Sequence, residues 1–115
     1  MEQIIEDLSL IRDVRGVILV STDGLVIASS GKFVNDVEFI GASVYEAFSA
    51  ANLMTSERMD SGKTLKLFIE SEQLMYAIYC ATEDTFLIIV IEHGGNLGII
   101  NIEAAAAIAK LKEML

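Results

Sequence analysis

Hydrophobic positions in residues 17–28 form continuous runs instead of alternating with polar positions. Residues 17–20 and 25–28 are apolar, and a Ser-Thr-Asp-Gly sequence separates them. Asp23 and Gly24 accept the positive φ that a tight turn requires, so this segment predicts a β-hairpin. A strand that is apolar on both faces is typical of a sheet covered on both sides. The pattern therefore predicts helices on both faces of a sheet.

Three other segments show the three-to-four residue spacing of amphipathic helices. The first covers residues 2–12. The second begins with a capping-box pattern at Asn35 and Glu38 and extends to about residue 58, and the third covers about residues 97–115. The apolar stripes of these helices are Ile4, Ile5, Leu8 and Ile11 in the first, Ile40, Val44, Phe48 and Ala51 in the second, and Leu97, Ile100, Ala104, Ile108, Leu111 and Leu115 in the third.

The second helix is apolar on more than one side. Phe39 and Leu53 lie outside its stripe, where a surface helix usually carries charged residues. Small side chains along it favour the close approach of another helix, although they also suit simple packing on a sheet. These small residues are Gly41, Ala42, Ser43, Ala47, Ser49 and Ala50.

Three strands are predicted between the second and third helices, at residues 64–70, 74–80 and 86–91, and the short links between them indicate a meander. The strand at 64–70 alternates in polarity and has one wetter face, which suits the edge of a sheet. The strand at 86–91 is apolar throughout and is predicted in the middle.

Length and composition indicate one domain that covers residues 1–115. Cys80 is the single cysteine, so it cannot form an intramolecular disulfide, and it is expected to be a small buried side chain in a reducing cytoplasm. The apolar runs are shorter than the ~20 residues of a membrane helix, and no secretory leader is recognised. A net charge of −9 disfavours nucleic acid and anionic lipid as partners.

The chain offers little that could carry catalysis. One histidine, His93, and one cysteine cannot build a His-rich or Cys₄ metal site, and no serine, histidine and acid grouping is indicated. Gly94, Gly95 and Gly98 match neither the phosphate-binding loop nor the dinucleotide fingerprint. The sequence predicts a protein that is not an enzyme and has no cofactor or metal site.

The order helix, two strands, helix, three strands, helix resembles the Roadblock family, which groups dynein light chains with bacterial and archaeal regulators of Ras-like GTPases. Arg15-Gly16-Val17 before a strand, Asp23-Gly24-Leu25 in the hairpin and Asn96-Leu97-Gly98 before the last helix carry the resemblance. It implies an α+β domain with a profilin-like, three-layer fold. Its five-stranded antiparallel sheet has the first and last helices on one face and the second helix on the other.

The resemblance also implies a homodimer, or a heterodimer with a paralogous Roadblock chain, joined through the third strand and the second helix. An unpaired edge strand favours such pairing on physical grounds, because a two-fold contact leaves no edge for growth. The expected dimer-interface residues are Thr64, Leu65, Lys66, Leu67 and Phe68 on the strand, and Glu46, Ala50 and Leu53 on the helix.

The leading functional hypothesis follows mainly from the resemblance: a dimeric, non-catalytic scaffold that binds a small Ras-like GTPase and modulates its nucleotide state or GTP hydrolysis. The expected partner-binding residues share one side of the second helix and are Glu38, Ala42, Tyr45, Ser49 and Asn52. A motor or cargo adaptor is a variant of this hypothesis. The alternative is a small-molecule-binding sensory domain of profilin-like architecture, which requires a cavity with converging polar groups.

Overall fold

A computed structural model describes residues 1–33 and 36–115. Three α-helices, one π-helical turn and five strands are formed by these residues. In chain order they are α1 (Glu2–Ser9), β1 (Val14–Ser21), β2 (Val26–Gly31), α2 (Val37–Asn52), the π-segment (Leu53–Arg58), β3 (Lys66–Glu70), β4 (Leu74–Thr82), β5 (Thr85–Glu92) and α3 (Leu97–Met114).

The five strands form one antiparallel sheet in the order β2-β1-β5-β4-β3. The hairpin predicted around Asp23 joins β1 to β2, and Gly24 takes the positive φ of the turn, +89°. The apolar strand β5 lies at the centre and β3 lies at one edge, which confirms both predictions. The antiparallel sheet between helical layers confirms the predicted fold class.

The sheet separates two hydrophobic cores. On one face, α1 and α3 cover a core that includes Leu19, Ile89 and Ile100. On the other face, α2 covers a second core around Phe48 and Ile88. Neighbouring residues of β1 and β5 point alternately into the two cores, which explains why residues 17–20 and 86–91 are all apolar.

The observed end of the first helix and the observed start of the second differ from the predicted ones. The first helix ends at Ser9 instead of residue 12, and Asp13 adopts a positive φ of 69° where the chain reverses into β1. The N-cap of α2 is Asp36, whose carboxylate accepts a hydrogen bond from the Glu38 N–H at 2.9 Å. The predicted cap Asn35 lies outside the described residues.

The last helix buries a narrower stripe than its spacing predicts. Leu97 and Leu115 were placed in the stripe but are 37% and 53% exposed. The buried residues are Ile100, Ala104, Ala107 and Leu111. The ends of α3 therefore extend past the core, and Ala107 allows the middle of the helix to lie close to it.

Candidate interaction surface

Helix α2 crosses the sheet from the β2 side toward β3. Near its start, a Cβ at Gly41 would lie 3.5 Å from Val20 on β1. In its middle, the ring of Phe48 packs against Phe86 at the start of β5, with centroids 4.4 Å apart. At its end, the side chain of Asn52 reaches the residues just before β3. The helix therefore lies across the strands and leaves part of this sheet face uncovered.

A hydrogen-bonded cluster fixes the end of α2 to the start of β3. Oδ1 of Asn52 accepts a hydrogen bond from the Thr64 N–H at 2.9 Å, and the hydroxyls of Thr64 and Thr55 lie 2.8 Å apart. Thr55 belongs to the π-segment, whose wide turn is closed by the Met59 N–H donating to the Met54 carbonyl. These contacts hold β3 in place although it has only one neighbouring strand.

The outer side of β3 presents regularly spaced backbone N–H groups. The Cys80 N–H donates to the Leu65 carbonyl at 2.9 Å, and Lys66 pairs with Tyr79 in an unbroken register. Because hydrogen-bonded and non-hydrogen-bonded pairs alternate in an antiparallel ladder, the N–H groups of Lys66, Phe68 and Glu70 point away from β4. The described residues supply no strand beyond this edge.

An apolar groove of about 270 Å³ lies between α2 and the β3–β4 hairpin. We call it the α2 groove. Phe39, Ser43 and Ala47 line its helical wall, and they fall on one flank of α2 because they are four residues apart. Ile69, Tyr76 and Ile78 line its sheet side. Phe39 is 63% exposed, so the groove opens into an exposed hydrophobic surface.

The sequence and the fold of this chain match those of known proteins. The model of the Roadblock/LC7 domain matches residues 1–91. The chain belongs to the Roadblock/LC7 family. It is 31% identical over 114 residues to protein MJ1340 of Methanocaldococcus jannaschii, which covers 99% of this chain and 98% of that protein.

Two solved structures have the same fold as this Roadblock domain. A Roadblock/LC7 domain of Streptomyces avermitilis superimposes with a TM-score of 0.91 at 16% identity, over 99% of this chain and 96% of that chain. MglB of Myxococcus xanthus superimposes with a TM-score of 0.90 at 16% identity, over 98% and 92% of the two chains.

The residues expected at the dimer interface fall into two groups in this Roadblock domain. Leu65, Lys66 and Phe68 are exposed at the β3 edge, and Leu67 is half-buried against the α2 core. Glu46, Ala50 and Leu53 are exposed along α2 and the first residue of the π-segment. Thr64 differs from the others, because it is 8% exposed and its N–H and hydroxyl are both engaged inside the protomer.

The residues expected to bind a partner share the flank of α2 opposite to the α2 groove. Glu38, Ala42, Tyr45 and Ser49 are exposed there. Tyr45 and Ser49 border a depression that also includes Thr22 and Lys63 from the loops at this end of the sheet. Asn52 is half-buried and its carboxamide oxygen is already bonded to Thr64. The structure therefore brings four of the five residues together on an exposed surface.

Sequence reasoning missed the walls of the α2 groove. Phe39, Ser43 and Ala47 repeat at four-residue intervals, and this signal was present in the sequence. It was hidden by the stripe of Ile40 and Val44, which lies next to it on the helix. Ile69 and Tyr76 could not be assigned to the groove from the sequence, because their proximity depends on the register of β3 and β4, which pairs them directly.

The other polar side chains singled out from the sequence lie at the surface. His93 Nε2 lies 3.1 Å from a Glu70 carboxylate oxygen, and both side chains are more than half exposed. Among the described residues, no cluster of three or more His, Cys, Asp or Glu side chains could hold a metal ion. None of the helices in the described part of the chain is long and apolar enough to span a bilayer.

Proposed function

We propose that this Roadblock domain is a non-catalytic scaffold that pairs through β3 and presents α2 to a small Ras-like GTPase, whose nucleotide state or GTP hydrolysis it modulates. The observation that carries the proposal is the open β3 edge beside the exposed α2 groove. The fold and the family membership support it, and the identity of the partner class follows from the family resemblance. The protein would act in the cytoplasm, where its single thiol stays reduced.

Self-association accounts for surface features that a monomer would leave in water. Leu65 is 61% exposed and Phe68 is 48% exposed, and both lie at the edge whose N–H groups point outward. A second β3, antiparallel to the first, would bond these groups and continue the sheet. The partner's α2 would then lie over the same sheet face and fill the α2 groove. The second subunit is a copy of this chain or a paralogous Roadblock chain.

The opposite flank of α2 is the surface proposed for the GTPase. In a pair joined at β3, the groove flanks of the two α2 helices would face each other, so the flanks with Tyr45 and Ser49 would stay accessible. An aromatic side chain among small residues is a favourable anchor, because tyrosine buries a large area with few rotatable bonds. Glu38 and Ala42 extend this surface toward the start of the helix.

Modulation of hydrolysis would not use an arginine finger supplied by this flank. The arginines of the chain are Arg12, Arg15 and Arg58. Arg15 on β1 lies 3.4 Å from Glu92, Arg12 lies between α1 and β1, and Arg58 ends the π-segment, so none of them is among the exposed residues of this flank. We propose that any effect on the GTPase comes from ordering its own catalytic elements, which requires no side chain of this chain at the reacting phosphate.

The proposal is tested by sedimentation and by binding to a small Ras-like GTPase from the same organism. Sedimentation at micromolar concentration is expected to show a species of twice 12.5 kDa. Immobilised wild-type protein is expected to retain the GTPase in one nucleotide state. Tyr45→Asp is expected to abolish this binding, because it places a charge at the centre of the contact, and to leave the dimer intact.

Ile102→Asp is the matched control, because Ile102 is an apolar residue on α3 that is 70% exposed and far from α2. It is expected to bind the GTPase as the wild type does. A purely monomeric protein would refute the scaffold, and undiminished binding by a folded Tyr45→Asp variant would refute the proposed flank.

A further inference from the structure

The outward side of α3 is unusually apolar for a helix at the protein surface. Between Leu97 and Ala109 the only charged residue is Glu103, which borders the groove between α3 and α1 instead of the outward side. Ile102 lies on the outward side and is 70% exposed. A helix that is apolar on every side is normally covered on every side. The outward side of α3 therefore indicates a packing partner.

The outward residues form one continuous row along α3. Residues 98, 102, 105 and 109 are separated by four, three and four positions, the spacing of a seam between two helices packed at a shallow angle. Residues 106 and 113 lie beside this seam on the same side of the helix. We call this set the α3 row, and all of its members are exposed: Gly98, Ile102, Ala105, Ala106, Ala109 and Glu113.

The two ends of the α3 row have complementary electrostatics. Glu113 lies in the last turn of α3, at the negative end of the helix dipole, so its own helix disfavours this carboxylate. It forms no ion pair within the described residues. At the positive end, the first turn of α3 carries no acidic residue. A second α3 that runs antiparallel to the first would bring each Glu113 to the positive end of the other helix.

The antiparallel direction also matches large side chains with small ones. With a two-fold axis between Ala105 and Ala106, these two alanines face their copies at the centre, where methyl groups allow helix axes to approach to about 8 Å. Ile102 then faces Ala109 of the second copy. Gly98 has no side chain, so it leaves room for Glu113 of the second copy beside the first turn.

We propose that the α3 row binds the α3 row of a second copy of this chain, as an antiparallel helix pair about a two-fold axis. The row lies on the sheet face opposite to α2, so the contact uses neither the β3 edge nor the surface proposed for the GTPase. A dimer paired at β3 would carry two such rows, and the α3 contact would join one dimer to another.

The contact is expected to be weaker than β3 pairing. Glycine and alanine supply most of the row, and interfaces that bury less than about 1,000 Å² are weak or transient. The α3 pair is therefore expected well above the micromolar concentrations at which β3 pairing is tested.

The test uses the full chain with Phe68→Pro, which isolates the α3 contact because it blocks pairing at β3. Sedimentation equilibrium covers about 10 μM to about 1 mM, the affinity range of weak interfaces. The mass is expected to rise from 12.5 kDa toward twice that value. Amide chemical shifts that change with concentration are expected at Ile102, Ala105 and Ala109. If Phe68→Pro does not fold, the wild type gives the same test, because its mass should rise beyond that of the dimer.

Ile102→Asp removes the largest side chain of the row and buries an unpaired charge in the contact. It is expected to weaken the association at least about 10-fold. Leu25→Asp is the matched control, because Leu25 is similarly exposed, at 67%, but lies between β1 and β2. It is expected to associate as its parent does.

Glu113→Lys tests the antiparallel direction. It places a cation at the positive end of the other helix and is expected to weaken the association by about 3- to 10-fold. Glu103→Lys is the matched control, because it makes the same charge change on the side of α3 that faces α1. It is expected to leave the association unchanged.

The proposal is overturned if the mass does not rise with concentration, if the shifts map to α1 or to the α2 groove, or if Ile102→Asp associates as Leu25→Asp does. Equal weakening by Glu113→Lys and Glu103→Lys would refute the antiparallel arrangement. A wild type that is monomeric at micromolar concentration but shows the α3 shifts at higher concentration would refute β3 pairing and support the α3 contact.

Discussion

The two edges of the sheet differ in how well they are protected against the addition of another strand. At the β2 edge, Ser29 and Gly31 are exposed, and the pairing with β1 is interrupted by a bulge. Helix α1 packs beside this edge, and the hydroxyls of Ser9 and Ser30 lie 3.0 Å apart. At the β3 edge, the register with β4 is unbroken and Phe68 is exposed.

The difference shows how one sheet can carry both a protected edge and an edge suited to pairing. Bulges and covering helices are common ways to prevent unwanted strand addition, and β2 has both. In β3 the register with β4 has no bulge, and Phe68 and Ile69 are exposed beside the outward N–H groups, with Lys66 as a charged residue at the start of the strand. If two copies pair at β3, the joined sheet ends in a β2 edge on both sides and cannot grow further.

The largest expected effect is on the oligomeric state, when proline is introduced at one edge or the other. Phe68→Pro removes an N–H that points outward, so it should block β3 pairing without breaking a bond to β4. Ser29→Pro is its counterpart at β2, since the Lys32 N–H bond to the Arg15 carbonyl places the Ser29 N–H outward as well. Sedimentation should show a 12.5 kDa species for Phe68→Pro only.

Phe68→Ala separates the backbone from the ring in the same experiment. It keeps the N–H and removes the aromatic side chain, so it should weaken the dimer without abolishing it. A dimer that persists in Phe68→Pro, or that is lost in Ser29→Pro, would mean that the two edges do not differ as described.

A smaller effect, on the free energy of unfolding, is expected when the side chains that hold each edge strand in place are shortened. Asn52→Ala leaves the buried Thr64 N–H without a partner and should lower the free energy of unfolding by about 1 to 3 kcal/mol in urea denaturation. Ser9→Ala removes the half-buried contact with Ser30 at the β2 edge and should cost about 1 kcal/mol or less. Hydrogen exchange at Thr64 should quicken only in the first variant.

Ser56→Ala is the control for the β3 anchor, because the Ser56 hydroxyl donates only a long, 3.4 Å hydrogen bond to Asn52. Its stability should remain within about 0.5 kcal/mol of the wild type. Equal losses in Asn52→Ala and Ser56→Ala would contradict the assigned role of the Asn52 carboxamide.

The smallest expected effect is a gain in stability. Tyr79→Phe removes a buried hydroxyl that has no partner in the protein, next to the β3 edge, and should raise the free energy of unfolding by about 1 kcal/mol. The gain should increase between pH 10 and 12, because the phenol pKa is about 12 in the folded chain. The unfolded chain releases this proton near pH 10, so rising pH favours unfolding of the wild type.

Denaturation at neutral and alkaline pH measures this difference. A loss of stability in Tyr79→Phe at neutral pH would show that the hydroxyl has a hydrogen-bonding partner, such as ordered water. A difference between the two proteins that does not change from pH 10 to 12 would contradict the raised pKa.

The central part of the fold was predictable because it depends on local pattern. The apolar runs of β1 and β5 were sufficient to predict that these strands lie in the interior of the sheet. The alternating polarity of β3 was sufficient to predict that it lies at an edge. The second edge was not recognised, because residues 25–28 look as apolar as residues 17–20. In the structure Ile27 is 43% exposed, and only the arrangement of the whole sheet decides this.

The candidate site was less predictable because it depends on contacts between distant segments. The sequence predicts Thr64 as the first residue of an exposed strand. In the structure it is buried and forms hydrogen bonds with Asn52 and Thr55. The α2 groove requires the crossing direction of α2, and the cavity that Ala105 and Ile108 of α3 form with Tyr79 of β4 requires the position of α3 over the sheet. Neither is encoded in the spacing of apolar residues along one element.

The sheet divides the two cores, and this division affects how substitutions in one core influence the other. Ile88 and Ile89 are adjacent in sequence yet belong to different cores, so the backbone of β5 acts as a partition. Substitutions on opposite sides share no side-chain neighbours, and their energetic effects should be additive. Each side can therefore accumulate mutations on its own, and a new specificity on the α2 side need not disturb the α3 side.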